Sequence, residues 1–298
     1  MAIDIKAVGI VGLGLIGTSL AKRLLNAGFA VFGHDVNPER NAALADLGGT
    51  AVATLGDMGS TCSAVIISVL STDQVEAVVE GFAGDNPMNL SPGSLVISTS
   101  TCDPDRIAAL GKRIESKGLR FLEVPLSGNS DQIALGNGVG LVGGNVTDAV
   151  AAAPLLDVIC PRRYHLGAVG AGGRAKLAVN LVGGLNRAVM AEGLAFAESM
   201  GLDALSFLEV LKGSAAYSRT MDNRGKKMAL GDFTPHAKVS QSRKDFMLMH
   251  EAAKRSGQEL PLATVYLELI EGCLDHGEGE LDNSAIIKEI RRRRNIDK

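Results

Sequence analysis

Lys176 and Asn180, in the stretch GAGGRAKLAVN at 170–180, are the residues whose types and spacing could do chemistry. At i and i+4 on a helix they project from one face, about 6 Å apart along the axis, so one small ligand could touch both. A neutral lysine amine takes a proton from a hydroxyl and its ammonium returns one, while an asparagine amide can orient the reacting oxygen. The three glycines around the start of the stretch read as the mouth of a helix. A cation in a first turn is disfavoured by the macrodipole, so burial and dipole together are expected to lower the lysine's proton affinity into a useful range. A helical lysine without such surroundings is a solvated surface charge, so the reading depends on its context.

The first part of that context is a glycine turn. Residues 6–11, KAVGIV, enter GLGLIG at Gly12–Gly17 as a short apolar strand, and TSLAKRLLNAG then carries helical periodicity to Gly28. Strand, tight turn and helix are the setting in which G-x-G-x-x-G binds a dinucleotide, making Gly12, Gly14, Leu15, Ile16 and Gly17 the candidate cofactor residues. Asp35 ends the next strand, FAVFGHD, at about the 20-residue spacing of a ribose-binding acid. Its charge would repel a 2′-phosphate and Val36 offers no cation, so NAD is expected, with Arg40 near enough to leave NADP possible.

AVIISVL (64–70) and SLVISTS (94–100) read as buried parallel strands. Leu70, Ser71, Ser100 and Thr101 then fall at strand carboxyl ends, where a nicotinamide would lie, although each hydroxyl also reads as a helix N-cap. FLEVPLSGNSDQIALGNGVGLVGG (121–144) contains a strand, a turn at Ser127-Gly128, a helical stretch and a second strand. Backbone amides and a hydroxyl in that turn could hold a carboxylate, and an ordinary turn is the alternative.

These elements predict two domains. Residues 1–168 form an α/β domain with a doubly wound (Rossmann) sheet, and 169–298 an all-α domain, joined by a long interdomain helix over 171–201. Beyond Leu202 the pattern is helical throughout: LDALSFLEVLKG, a longer stretch through Lys227, KVSQSRKDFMLMHEAAKRSG, LPLATVYLELIEGCLDHG and LDNSAIIKEIRRRR. The formal net charge of −3 and the lack of a basic, aromatic-interleaved stripe exclude a nucleic-acid binder and favour a small-molecule partner. Four scattered cysteines read as reduced thiols, five scattered histidines give no metal spacing, and no apolar run is long enough for a bilayer. The opening MAIDIKAVGIVGLG lacks a basic leader and cleavage site, so a cytoplasmic protein is expected. Arg291–Arg294 read as a solvated tail, the alternative being a partner for a substrate phosphate across a subunit interface.

The motifs, in this order, resemble the β-hydroxyacid dehydrogenase family, which includes 3-hydroxyisobutyrate dehydrogenases, tartronate semialdehyde reductases and the more distant 6-phosphogluconate dehydrogenases. The resemblance rests on GLGLIG at 12–17, STSTCDP at 98–104, PLSGN at 125–129, GAVGAGGRAKLAVN at 167–180, and FTP with RKDF between 233 and 246. It implies NAD(P)-dependent oxidation of a small 3-hydroxy acid, or the reverse reduction, and a helical bundle that builds homodimers or homotetramers. Lys176 falls on the family's catalytic lysine, Asn180 on its substrate-orienting asparagine, and Ser127 and Gly128 on its substrate loop, with Thr101 assisting. Lys244 and Asp245 fall on its Lys-Asp pair, Lys244 being expected near the cofactor. Asn129, Ser98 and Gln241 depart from the pattern. Asn129 replaces a glycine beside the carboxylate site and is expected to select a polar substrate such as a tetronate, unless it is there for its tolerance of left-handed backbone. An imine reductase of the same architecture is opposed by Lys176, and a non-catalytic NAD-binding regulator by Lys176, Asn180 and Ser127 together.

Overall fold

The computed structural model describes residues 5–80 and 88–294, and residues 1–4, where the leader reading begins, lie outside them. Among the described residues nine strands form one sheet: β1 (Ala7–Val11), β2 (Ala30–His34), β3 (Thr50–Ala51), β4 (Ala64–Ile67), β5 (Leu95–Ser98), β6 (Arg120–Glu123), β7 (Leu126–Ser127), β8 (Val139–Gly144) and β9 (Arg162–Gly167). Their order is β3-β2-β1-β4-β5-β6-β8-β7, with β9 paired to β8. The strands through β6 run parallel, whereas β8 runs antiparallel to β6 and β7. The order reverses between β1 and β4, the place where open α/β sheets bind ligands outside their carboxyl ends.

The central strands are apolar on both faces because helices cover both. In β4 and β5, Ile66 and Ile97 enter one core, while Val65, Ile67 and Val96 enter the other. Over the first face lie α1 (Leu15–Asn26), α6 (Ser130–Ala134) and α8 (Ala153–Ile159), which contribute Leu20, Leu24, Ile133 and Leu155. Over the second lie α3 (Leu55–Thr61), α4 (Thr72–Glu80) and α5 (Pro104–Ser116), with Met58, Val75, Ile107 and Leu110. Two further helices, α2 (Pro38–Asp46) and α7 (Val146–Ala151), complete this part.

The chain divides into compact units at Met1–Lys176 and Leu177–Lys298, and α9 (Ala171–Ser199) gives its first residues to the N-terminal unit. The C-terminal unit is helical: the rest of α9, then α10 (Ala204–Lys212), α11 (Lys226–Leu230), α12 (Val239–Ser256), α13 (Pro261–Asp275) and α14 (Ile286–Arg292). Its core gathers Met190, Leu194, Leu208, Phe246, Met249, Tyr266 and Ile270, with the Phe246 and Tyr266 rings 4.4 Å apart. Among the described residues no helix is long and apolar enough to cross a membrane. Cys62, Cys160 and Cys273 are buried free thiols that burial pushes up to about 12, which makes them unreactive.

One expectation is corrected. The stretch through Lys227 is helical only in part: after α10 the chain turns, and a π-helical turn at Met221–Gly225 leads into α11, which runs past Lys227 to Leu230. A Cβ on Gly225 would overlap Leu208, so the widened turn lies where α10 packs closest. The arginine run is solvated, with Arg292, Arg293 and Arg294 exposed, and it is also paired. Arg291 pairs with Glu198, Arg292 with Glu278 and Glu289, and Arg293 with Glu289.

One buried charge organises the loops of this unit. Asp282 is fully buried, accepts from His236 N, Ala237 N, Ser284 N and Ser284 Oγ, and stands 3.5 Å from Arg224 Nε. Burial opposes its charge, but Arg224 and these donors together hold the carboxyl below its ordinary value. Its stabilising contribution is therefore present above the ordinary aspartate pKa and is lost as pH falls through the folded value. Asp282→Ala should lower stability at neutral pH by about 3–5 kcal/mol, because the buried Arg224 loses the opposite charge of its ion pair. Urea denaturation at pH 7 measures this, and the gap between variant and parent should close as the pH is taken below about 4.

Candidate active site

The end of β1 makes a cradle. Gly12 has φ +90°, its N–H donates to His34 O at 2.9 Å, and a Cβ there would lie 2.5 Å from Ser68 O. A Cβ on Gly17 would overlap Gly12 O, so α1 can press against the turn only with glycine at that position. Gly14 is the N-cap of α1 without a side-chain cap, the first turn carries no acid, and the nearest atom to a Cβ there would be Arg40 Nη1 at 4.0 Å. Bare helix-head amides beside open space fit the pyrophosphate of a dinucleotide. Leu15 is exposed, and Ile16 packs against the sheet core.

Asp35 stands beside this cradle and is buried. Oδ2 accepts from Leu13 N at 2.7 Å, Oδ1 from Asn37 N at 2.8 Å, and Arg40 Nη1 lies 3.2 Å from Oδ2. Burial opposes its charge, yet Asn37, Leu13 and Arg40 together hold the carboxyl below its ordinary value. Val36 is 95% exposed. The hydroxyls further along are largely committed: Ser71 Oγ accepts from Gln74 N while Gln74 Oε1 accepts from Leu70 N and Ser71 N, and Ser100 Oγ donates to Val69 O. Thr101 is half-buried between β5 and α5.

The head of α9 forms the other part of the N-terminal unit's site. A Cβ on Gly172 would overlap Leu141 O of β8, which explains the glycine run: the helix starts in contact with a strand's backbone. Lys176 is 7% exposed, and its Nζ donates to Leu126 O at 2.7 Å, bringing the amine to the segment that continues into Ser127 and Gly128. Ser127 is half-buried and Gly128 is exposed with φ +149°. Asn129 has φ −84°, so left-handed tolerance is not its role. It is the N-cap of α6: Oδ1 accepts from Gln132 N, and Gln132 Oε1 accepts from Asn129 N.

In the C-terminal unit, Asn180 Nδ2 donates to Asp245 Oδ2 at 2.9 Å, and Lys244 Nζ lies 2.9 Å from Asp245 Oδ1. Three groupings therefore emerge: the glycine cradle with Asp35 and Arg40, Lys176 with the PLSGN loop, and Asn180 with Asp245 and Lys244. Sequence reasoning missed Glu123, a buried acid at the end of β6 facing the head of α9. Only its place two residues before Pro125 marks it in the chain.

Residues 7–167 match the NAD binding domain of 6-phosphogluconate dehydrogenase, and 170–290 match a family described as NAD-binding of NADP-dependent 3-hydroxyisobutyrate dehydrogenase. The chain belongs to the β-hydroxyacid dehydrogenase family. It is an NAD(P)-dependent enzyme of that family, acting on small hydroxy acids. It is similar to L-threonate dehydrogenase of Cupriavidus necator, 34% identical over 284 residues and covering 95% of each chain. It is also similar to 2-hydroxy-3-oxopropionate reductase of Escherichia coli, at 28% identity over 95% of this chain and 96% of that one. Among solved structures it resembles a 3-hydroxyisobutyrate dehydrogenase from Salmonella typhimurium, with a TM-score of 0.86, 30% identity, and coverage of 95% and 99%.

Gly17→Ala should weaken cofactor binding by about tenfold or more, since overpacking of a tight contact costs roughly 1–3 kcal/mol. Titration of NADH fluorescence with protein measures it, and an unchanged dissociation constant would remove the α1–turn contact from cofactor binding.

Proposed function

We propose that this dehydrogenase oxidises a polyhydroxylated four-carbon acid of the tetronate class, reversibly and with NAD, using Lys176 as general acid and base. The observation that carries the reading is the buried Lys176 amine, 2.7 Å from the carbonyl immediately before Ser127. A neutral amine can donate one hydrogen to Leu126 O and still direct its lone pair at a substrate hydroxyl. Bound at Ser127 and Gly128 through its carboxylate, the substrate presents its hydroxyl to Lys176, and Asn180, one helical turn further on α9, is the candidate to orient it. In oxidation the amine takes the hydroxyl proton, and in reduction the ammonium returns it. The nicotinamide, when bound, supplies the hydride acceptor or donor. Gly12, Gly14 and Gly17 would admit the pyrophosphate to the α1 amides, and Asp35 would hold the adenosine ribose.

The preference for NAD is supported by the pairing of Arg40 with Asp35, which engages a cation beside the ribose site. Val36 adds no second cation for a 2′-phosphate. The substrate class is supported by the similarity to L-threonate dehydrogenase and by Asn129. With Oδ1 committed to α6, Asn129 meets the substrate through Nδ2, a donor that an apolar branched chain would leave unpaired at about 1–3 kcal/mol.

Lys176→Ala should lower turnover by about 10²–10⁴-fold with NAD affinity nearly intact. Full activity would take the lysine out of the reaction. The parent should show higher kcat/KM for a tetronate than for 3-hydroxyisobutyrate, with NAD preferred over NADP in the same assay. Asn129→Gly should narrow that ratio, and it costs only a few tenths of a kcal/mol as a cap. A parent preference for the apolar acid would defeat the substrate assignment, and an unchanged ratio would show that Asn129 serves α6 alone.

A further inference from the structure

The carboxylate of Glu123 takes no part in the reaction as derived so far. It closes β6 at 3% exposure, and the backbone N–H groups of Gly173, Gly170 and Gly172 face it from the head of α9. The group is boxed in: a Cβ on Gly143 would overlap Oε1, and Cβ atoms on Gly172 and Gly173 would stand 3.2 Å from Oε1 and Oε2. Oε1 is buried without a hydrogen-bond partner. Burial pushes the carboxyl above its ordinary value, and the three amides with Arg174 offset this only in part. With the folded value raised, this group favours folding at low pH, and that contribution is lost as pH rises through the folded value. At neutral pH a glutamine would therefore be easier to bury. A buried acid held against the stability of the fold points to a use.

Among the charged groups on the surrounding elements, Arg174 acts on the Glu123 carboxyl from a largely solvated position, and Lys176 is buried on the same helix. Arg174, on α9, lies 3.7 Å from Asp105 of α5 and is largely solvated. Asp103 caps α5 through the N–H groups of Asp105 and Arg106. His165 of β9 has its ring nitrogen 2.9 Å from Gly144 O. Lys176 follows Arg174 by two residues on the helix whose head Glu123 faces, and it is buried. The short segment from Glu123 to Leu126 meets α9 twice, with a carboxylate toward its first amides and a carbonyl 2.7 Å from Lys176 Nζ.

We propose that Glu123 is a positioning residue for the acid-base lysine. Its negative charge offsets the positive potential of the α9 head and, with the Leu126 carbonyl, sets both the placement and the proton affinity of the Lys176 amine. The inference rests on Lys176 as the acid-base group.

Glu123→Gln keeps the shape and removes the charge. In the full-length enzyme, the ascending limb of kcat/KM against pH for oxidation should move to lower pH by about 0.5–1 unit, because the amine loses a nearby anion. The melting temperature at neutral pH should hold or rise. Glu123→Asp, which retains the charge, should keep the limb near its original position while lowering kcat. Superimposable profiles for parent and Glu123→Gln would overturn the proposal. So would a glutamine variant that melts lower or fails to fold, since the carboxylate would then be structural. Lys176→Ala run in parallel separates the two levels: full activity there defeats the lysine assignment, whereas an inactive lysine variant beside an unshifted glutamine profile defeats only the role of Glu123.

Discussion

A helix head pressed onto the backbone of a strand or of the turn that ends one, with nothing larger than glycine between them, is the constraint on which this molecule depends. It occurs twice. At α1 the contact is Gly17 on the carbonyl of Gly12, and at α9 it is Gly172 on the carbonyl of Leu141. Peptide N–H groups at a helix start demand partners, and side chains usually supply them. Here α1 has no side-chain cap, which suits an anion arriving from outside, whereas α9 faces an acid the chain carries within its own sheet. The same sterics thus produce one open site and one filled one.

The filled head fixes the proposed chemistry. Because α9 starts against β8, its second turn is carried to the segment after β6, and the Lys176 amine reaches Leu126 O. That bond orders a long, otherwise mobile side chain, so less conformational entropy remains to be lost when a substrate arrives. One turn on, Asn180 is held by Asp245, whose other oxygen is paired with Lys244. Two polar groups at adjacent turns of one helix are restrained by different partners.

Much of this was legible in the chain. GLGLIG between an apolar run and a helical one marks the cradle, because glycine at those offsets answers a local steric need. The buried parallel strands, too, declare themselves by apolar runs such as AVII. What escaped reading depends on partners far apart or on the absence of apolar pattern. β9, RRYHLG, leaves Tyr164 and Leu166 exposed and shows no alternation that would mark a strand. Glu123 looks like any strand-end acid until the head of α9 is folded onto it. Asn129 was legible and under-read: Asn with Gln three residues later is a helix-start pattern, and Ser71 with Gln74 is another.

The pairing of Arg291 with Glu198 spans 93 residues of chain. A growing polypeptide emerges from the ribosome in order, so Glu198 waits for the whole of that interval before its guanidinium exists. During it, Met190 and Leu194 on α9 lack Ile286 and Ile287, with which they share a core. The sheet-bearing unit can close before those residues exist, whereas the helical unit's core must wait for them, and its half-made surface is where molecular chaperones would find purchase.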